Sequence, residues 1–299
     1  MTNKYLITGG EGFLGRTLKQ YLIKNNKEVK TLDINGSPDY KISVTNFTKL
    51  MDIKEGFDGI FHFAATTSPP QFEEDPLSGF MVNANGTLNI LEFARENSIP
   101  RVVLASSSAT YGNSIVVSVE KDVPDRYTNL YPVTKILDEH LARFYSIRNE
   151  VECISLRYFN TYGPGENSKS QYASVIWRFI KSLHKKERPI IFGDGKQSRD
   201  FIYADDNARG TYLAMEKGRP GESYNIGSGE TKTFNEIYNV VKELMASSIE
   251  AEYVKNPLKS YQYFTKADIS KAKNDLGFIP EYDLKTGINK MLSYDIDSI

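Results

Sequence analysis

The sequence predicts an α/β protein: a doubly wound parallel sheet, followed by a smaller mixed α/β part toward the C-terminus. Three observations carry this. Short apolar runs alternate with longer amphipathic ones through the first half, the pattern of parallel strands joined by crossover helices. Those apolar runs are bounded by polar turns, as strands covered on both faces should be. The second half is more irregular, broken by Gly163-Pro164-Gly165, Gly193-Asp194-Gly195, Pro220-Gly221 and Gly227-Ser228-Gly229.

Taken in order, Lys4–Thr8 reads as a strand, Phe13–Lys24 as the helix after it and Glu28–Asp33 as a second strand. Gly59–Ala64 and Arg101–Ala105 are further strands. Between them, Asn85–Asn97 carries Leu88, Leu91 and Phe93–Ala94 at helical spacing. Pro132–Ile147 is the next helix and Val151–Leu156 the next strand. Helices are expected near Tyr172–Lys185, Ala204–Lys217 and Thr233–Met245. The texture changes near Asn160, so residues 1–160 are expected to form the sheet domain, with 198–218 packing back on it. Residues 161–197 and 219–299 then form the second part, with no linker-like segment between the two.

Composition narrows the function. The chain has 299 residues, 40% hydrophobic, enough for a sizeable core. A formal net charge of -1 leaves no global basic field for nucleic acid. One cysteine, Cys153, excludes an intrachain disulfide framework. Three histidines without a CxxC or HExxH pattern argue against a metal site. No run approaches the length of a membrane span, and the N-terminal apolar run is too short for a signal peptide. A cytoplasmic protein with no membrane partner is expected.

The strand Lys4–Thr8 runs straight into Gly9-Gly10-Glu11-Gly12-Phe13-Leu14-Gly15. Glycine permits the tight turn and lets backbone amides approach a pyrophosphate, at which the next helix points its positive end. Any strand-to-helix turn favours glycine, so position matters: here the run lies between the required strand and helix. The second strand ends at Asp33, where a carboxylate accepts from both ribose hydroxyls and repels a 2′-phosphate. That combination predicts a Rossmann site for NAD rather than NADP.

Tyr131 and Lys135 are four apart at a helix start, on one face. An ammonium beside a phenol favours phenolate and makes it a usable base. The strand Arg101–Ala105 leads into Ser106-Ser107-Ser108, any of whose hydroxyls could reach the same reacting oxygen.

With these segments in this order, the chain resembles the extended short-chain dehydrogenase/reductases, in the group of NAD-dependent nucleotide-sugar epimerases and dehydratases. The resemblance runs through Gly9–Gly15, Phe61–Ala65, Asn83–Thr87, Ser106–Gly112, Tyr131–Lys135 and Arg157–Gly165. It continues through Gly193–Asp206, Tyr224–Gly229 and Ala267–Gly277. It implies Tyr131 as general base and acid, with Lys135 tuning it and holding the nicotinamide ribose. It selects Ser107 as the catalytic hydroxyl. Phe13 and Leu14 would lie under the pyrophosphate, with Asp33, Ile34 and Asn35 at the adenosine end. Ala64, Ala65, Asn83 and Phe159 would line the dinucleotide. Asn160 and Arg199 match positions on the substrate diphosphate; a salt bridge from Arg199 to Asp200 or Asp194 is the competing reading. Ser43 departs from the acid usual near adenine.

In such epimerases a keto-sugar forms, turns over and is reduced on its other face, and NAD is restored. Ser108-Ala109 after Ser107 lacks the acid pair of the dehydratases, and Cys153 lies in a strand where packing is its expected role. The leading expectation is therefore 4-epimerisation of the UDP-glucose/UDP-galactose kind. The run Asn256–Thr265 and the loop with Lys169 resemble instead the ADP-heptose 6-epimerases, whose second catalytic lysine Lys169 would match; the competing reading is a solvated loop lysine. Asp33 argues against the NADP preference of those enzymes. A non-catalytic NAD-binding regulator is the alternative of another class. Helices 85–97 and 132–147 carry apolar residues on more than one face, which predicts a homodimer or wide burial within one chain. Trp177 reads as core, or as a contact to the nucleotide base.

Overall fold

The computed structural model describes residues 2–67, 69–124, 126–167, 169, 173–257, 261–294 and 296, without the side chains of 69–71. The strands are β1 (Lys4–Thr8), β2 (Glu28–Asp33), β3 (Tyr40–Lys41), β4 (Gly59–His62), β5 (Arg101–Ser107), β6 (Glu152–Tyr158), β7 (Asn160–Tyr162), β8 (Ile190–Phe192), β9 (Ser198–Arg199), β10 (Phe201–Tyr203), β11 (Ser223–Ile226), β12 (Lys232–Thr233) and β13 (Glu252–Val254). The helices are α1 (Phe13–Lys24), α2 (Phe47–Met51), α3 (Pro69–Glu74), α4 (Pro76–Phe80), α5 (Gly86–Glu96), α6 (Leu130–Ile147), α7 (Val175–His184), α8 (Ala204–Lys217), α9 (Phe234–Leu244), α10 (Ser270–Leu276) and α11 (Leu284–Leu292).

Seven strands form one parallel sheet in the order β11-β6-β5-β4-β1-β2-β3. Alternate residues of each strand enter opposite layers. Tyr5, Ile7, Phe61, Val103, Ile154 and Leu156 pack with Leu18 and Leu22 of α1 and Met215 of α8. Leu6, Ile60, Val102, Leu104 and Cys153 pack with Ile90, Leu91 and Phe93 of α5 and Ala142 and Tyr145 of α6. Cys153 is thus a core residue whose thiol burial pushes up to about 12. Residues 223–226, grouped by sequence with the second part, supply the seventh strand, β11.

The other core lies in the C-terminal lobe, where α7, α9 and α11 meet around Phe179, Ile180, Ile237, Val241 and Ile288. Trp177 belongs to it. Ser174 caps α7 through its side chain, and Thr233 with Glu236 forms a capping box on α9. Tyr172, where a helix start was expected, lies outside the described residues; the helix runs Val175–His184.

Two features escape a 3.6-residue pattern. Between α4 and α5 the chain makes a π-helical turn, Met81–Asn85, which shifts the helix face by one residue. Among the described residues, five helices end on a left-handed residue that is not glycine: Asn26, Ser98, Asn149, Lys186 and Ala246, with φ between +47° and +59°. At each, the next amide reaches back to close the helix, as Ser247 N does to the Lys242 carbonyl at 3.0 Å.

Candidate active site

The sequence-predicted residues converge on the C-terminal edge of the sheet. Strand order reverses between β1 and β4, and open α/β sheets bind ligands at such a switch point. The turn out of β1 crosses it. Gly9 has φ +67°, and a Cβ there would lie 2.7 Å from the Ala64 amide nitrogen. A Cβ on Gly15 would collide with the Gly9 carbonyl oxygen. Gly12 is the N-cap of α1 and brings no side-chain cap. The first-turn amides of Phe13, Leu14 and Gly15 are therefore available to an anion. Asp33 ends β2, its Oδ2 accepting from Glu11 N and its Oδ1 from Asn35 N, both at 3.0 Å. A side-chain-free cradle with a fixed carboxylate beside it fits a dinucleotide. Ile34 is exposed next to that carboxylate.

On α6, the N-cap Asn129 accepts from Tyr131 N at 2.8 Å. Tyr131 and Lys135, one turn apart, are buried, and the Tyr131 ring packs on Phe72 with centroids 5.9 Å apart. α6 meets the short 3-10 turn Ser108–Tyr111 that follows β5. Ser107 closes β5, and its Oγ accepts from Ala109 N at 3.1 Å. The strand end is fixed by Glu139. It takes two hydrogen bonds from Arg157, at 2.8 and 2.6 Å, and one from Ser106 at 2.5 Å. Arg157 also donates to the Tyr111 hydroxyl at 3.0 Å. Ser107 is thereby held between two residues tied to the helix that carries Tyr131.

Beneath these groups runs a buried polar row. Lys135 Nζ pairs with Asp138 Oδ2 at 3.1 Å. His62 lies between the Thr8 and Thr87 hydroxyls, at 2.7 and 3.1 Å. Burial, then the Lys135 charge, pulls the His62 imidazole down to about 3, so it is neutral. Thr8 Oγ1 in turn accepts from Ala64 N at 3.2 Å. Asn83, in the π turn, bonds Thr66 N at 2.8 Å and Thr134 Oγ1 at 3.0 Å, joining the loop after β4 to the first turns of α6.

Phe159 is buried against Tyr111. Asn160 donates to the Asp200 carbonyl at 3.0 Å and to Thr265 Oγ1 at 3.2 Å. Arg199 takes neither expected acid. Asp200 is held by Ser228, Gly229 and Ala267, and Asp194 pairs with Lys196. The Arg199 guanidinium instead faces the rings of Tyr261 and Phe234, 5.2 and 5.8 Å away. Lys169 is half-buried. Its Nζ lies 4.0 Å from the Phe13 ring centroid and 3.2 Å from the buried Glu166 carboxylate. The run Asn256–Thr265 includes Leu258, Lys259 and Ser260, which lie outside the described residues. Its last part joins Ser198 through Tyr263 and Thr265, and Gln262 donates to Gly112 O at 2.8 Å.

Sequence reasoning passed over Asp138, Glu139, Glu166 and Tyr261. For the adjacent acids Asp138-Glu139, spacing from Lys135 was the one available signal. Among the described residues, no group of three His, Cys, Asp or Glu could hold a metal, and no helix is long and apolar enough to cross a membrane.

Comparison with known proteins agrees with this geometry. The model of the NAD dependent epimerase/dehydratase family matches residues 5–227. A protein from Methanocaldococcus jannaschii, provisionally assigned as a UDP-glucose 4-epimerase, is 34% identical, over 97% of each chain. A UDP-glucuronate 4-epimerase from Thermodesulfobacterium geofontis is 33% identical, over 99% of this chain and 97% of its own. The solved UDP-N-acetylglucosamine 4-epimerase from Methanobrevibacter ruminantium, in complex with UDP-N-acetylmuramic acid, superposes with a TM-score of 0.92 at 26% identity, over 100% of both chains.

Proposed function

The chain belongs to the NAD-dependent epimerase/dehydratase family, and from that premise we propose that it interconverts the C4 epimers of a UDP-hexose, with UDP-glucose and UDP-galactose as the pair. It is an NAD-dependent nucleotide-sugar epimerase. The observation that carries the proposal is the contact of α6, whose first turns hold Tyr131 and Lys135, with the 3-10 turn that follows Ser107, together with the neutral pair Ser108-Ala109. That arrangement supplies one acid–base group and no second one for eliminating water. The three relatives act, by their names, on UDP-hexoses that differ at C2 or C6 and share C4.

Gly9, Gly12, Phe13, Leu14, Gly15 and Asp33 would hold the dinucleotide, with Ile34, Asn35, Ala64, Ala65, Asn83 and Phe159 around it. NAD, when bound, supplies the acceptor and donor of the hydride at the sugar carbon. Tyr131 takes the proton of the sugar hydroxyl and returns it to the same oxygen after the keto-sugar has turned, so one proton leaves and one comes back. Lys135 stabilises the phenolate, and Ser107 donates to the reacting oxygen. Asn160 and Arg199 face the diphosphate, for which a guanidinium fork is suited.

One observation favours a second reading. Lys169, only partly exposed and with its Nζ over Phe13, matches by resemblance the second acid–base lysine of the ADP-heptose 6-epimerases. Incubation with UDP-galactose, UDP-glucuronate and ADP-heptose in turn, without added reductant, separates the two. Conversion of ADP-heptose with no product from any UDP-hexose would sink the 4-epimerase reading.

We propose further that the enzyme is cytoplasmic, has no nucleic-acid or membrane partner, and is a homodimer. Leu88 of α5 and Val133, Phe144 and Ile147 of α6 are exposed on neighbouring helices, a face that a second copy would cover.

A further inference from the structure

The helix that carries Tyr131 and Lys135 also carries a carboxylate that the reaction as described does not use. Asp138 lies one turn beyond Lys135, and both side chains are almost sealed from solvent, at 3% and 5% exposed. Asp138 Oδ1 is buried too, with the Thr87 hydroxyl beside the carboxyl. Burying an ion pair this completely is a poor way to gain stability, since an apolar pair of similar volume does as well or better. The charged and titratable groups facing the pair come from α6 itself and from β4. Glu139, on the same helix, is engaged by Arg157, and His62 of β4 is neutral beside Lys135. The Thr87 hydroxyl of α5 lies beside the carboxyl.

We propose that Asp138 is a positioning residue for the acid–base step: it fixes the Lys135 ammonium and cancels part of its charge, so that Tyr131 ionises at a higher pH than an unopposed lysine would set. The inference rests on Tyr131 being the acid–base group. Its chemical sense follows from the reaction. An unopposed ammonium holds a phenol as phenolate, a ready base and a reluctant acid. An epimerase needs the same group to take a proton and give it back, which is easiest when its pKa lies near the working pH. Burial pushes the Asp138 carboxyl up, and Lys135 opposes that push.

The test is the ionisation of Tyr131 itself, read as the near-ultraviolet phenolate step present in the wild-type protein and missing in Tyr131→Phe, without substrate. Asp138→Asn removes the charge and keeps the shape, and should move that step about one pH unit lower, as one charge at this range in a protein interior does. Asp138→Glu should bring it back, and the acid limb of turnover should move with it. A step that stays in place in Asp138→Asn, or moves higher, overturns the proposal; so does a loss of turnover equal at every pH with no shift. Should Asp138→Asn fail to fold, the carboxyl-carbon NMR shift of Asp138 in the wild-type protein decides. An ionised carboxyl across the working range supports the proposal, and a neutral one overturns it. Failure to turn over any UDP-hexose would count against the proposed function alone, because the phenolate step is read without it.

Discussion

Replacing His62 with glutamine should change how the stability of this protein depends on pH. His62 is sealed at the end of β4, between Thr8 and Thr87. Folding lowers its pKa from 6.5 to about 3, chiefly by burial and then by the Lys135 charge. The sign follows directly. Below pH 6.5 the unfolded chain binds a proton that the folded chain refuses, so stability falls as pH drops and goes on falling to about pH 3. One unit of that gap is worth about 1.4 kcal/mol. The loss reaches about 2 kcal/mol by about pH 5 and about 4–5 kcal/mol where the folded imidazole finally charges. Glutamine can accept from one threonine and donate to the other, and it does not titrate. Asp200 works in the opposite sense: burial raises its carboxyl to about 6, so it gains stability as pH falls through that value. The two effects overlap in the wild-type curve, and the difference between variant and wild type isolates His62. Urea unfolding followed by far-ultraviolet circular dichroism, at about pH 7.5 and about pH 5, measures it. His62→Gln should lose about 2 kcal/mol less than wild type between those values. Equal losses would refute the argument that this imidazole is buried neutral.

Tyr131→Phe should lower turnover by roughly 100-fold or more, as loss of an acid–base group does, while calorimetric titration still detects NAD binding; unchanged turnover refutes the mechanism. Gly9→Ala forces a left-handed alanine, costing about 1–2 kcal/mol, against the Ala64 amide. NAD affinity should fall by about tenfold or more in the same titration. Ala246→Gly should raise stability by about 0.5–1 kcal/mol, since φ +47° no longer strains a side chain; chemical denaturation checks it. Phe144→Glu should give a monomer by light scattering if a second copy covers that face, and an unchanged mass would remove Phe144 from any interface.

Where local chemistry is strong, sequence and structure agree residue for residue. Lys4–Thr8, Phe13–Lys24, Glu28–Asp33 and Ala204–Lys217 begin and end as expected, each bounded by glycine, asparagine or a charged turn. β5 and β6 run on to Ser107 and Tyr158 because the two strands stay paired through Ser106 and Ser107, and polar side chains conceal that continuation. The pairs β7–β10 and β9–β12 are two or three residues long, too short for any periodicity. The π turn at Met81–Asn85 is invisible to a helical count, yet it is where Asn83 finds Thr66 and Thr134. Lys169, a candidate with a solvated alternative, and Asp138, which sequence reasoning passed over, both needed packing, which puts Phe13 under one and Lys135 beside the other.

The seventh strand has a consequence for the order in which the chain is made. β6 is complete at Tyr158, but its outer edge waits for Ser223–Ile226 to pair with it. The face of the sheet over α1 waits likewise for α8, whose Tyr212 packs against Tyr21. A nascent or truncated chain ending near residue 160 therefore carries an open strand edge and an uncovered apolar face, both templates for association with other chains. The nucleotide-binding half matures only after the lobe that follows it has been synthesised, and a fragment cut at the change of sequence texture should aggregate rather than fold.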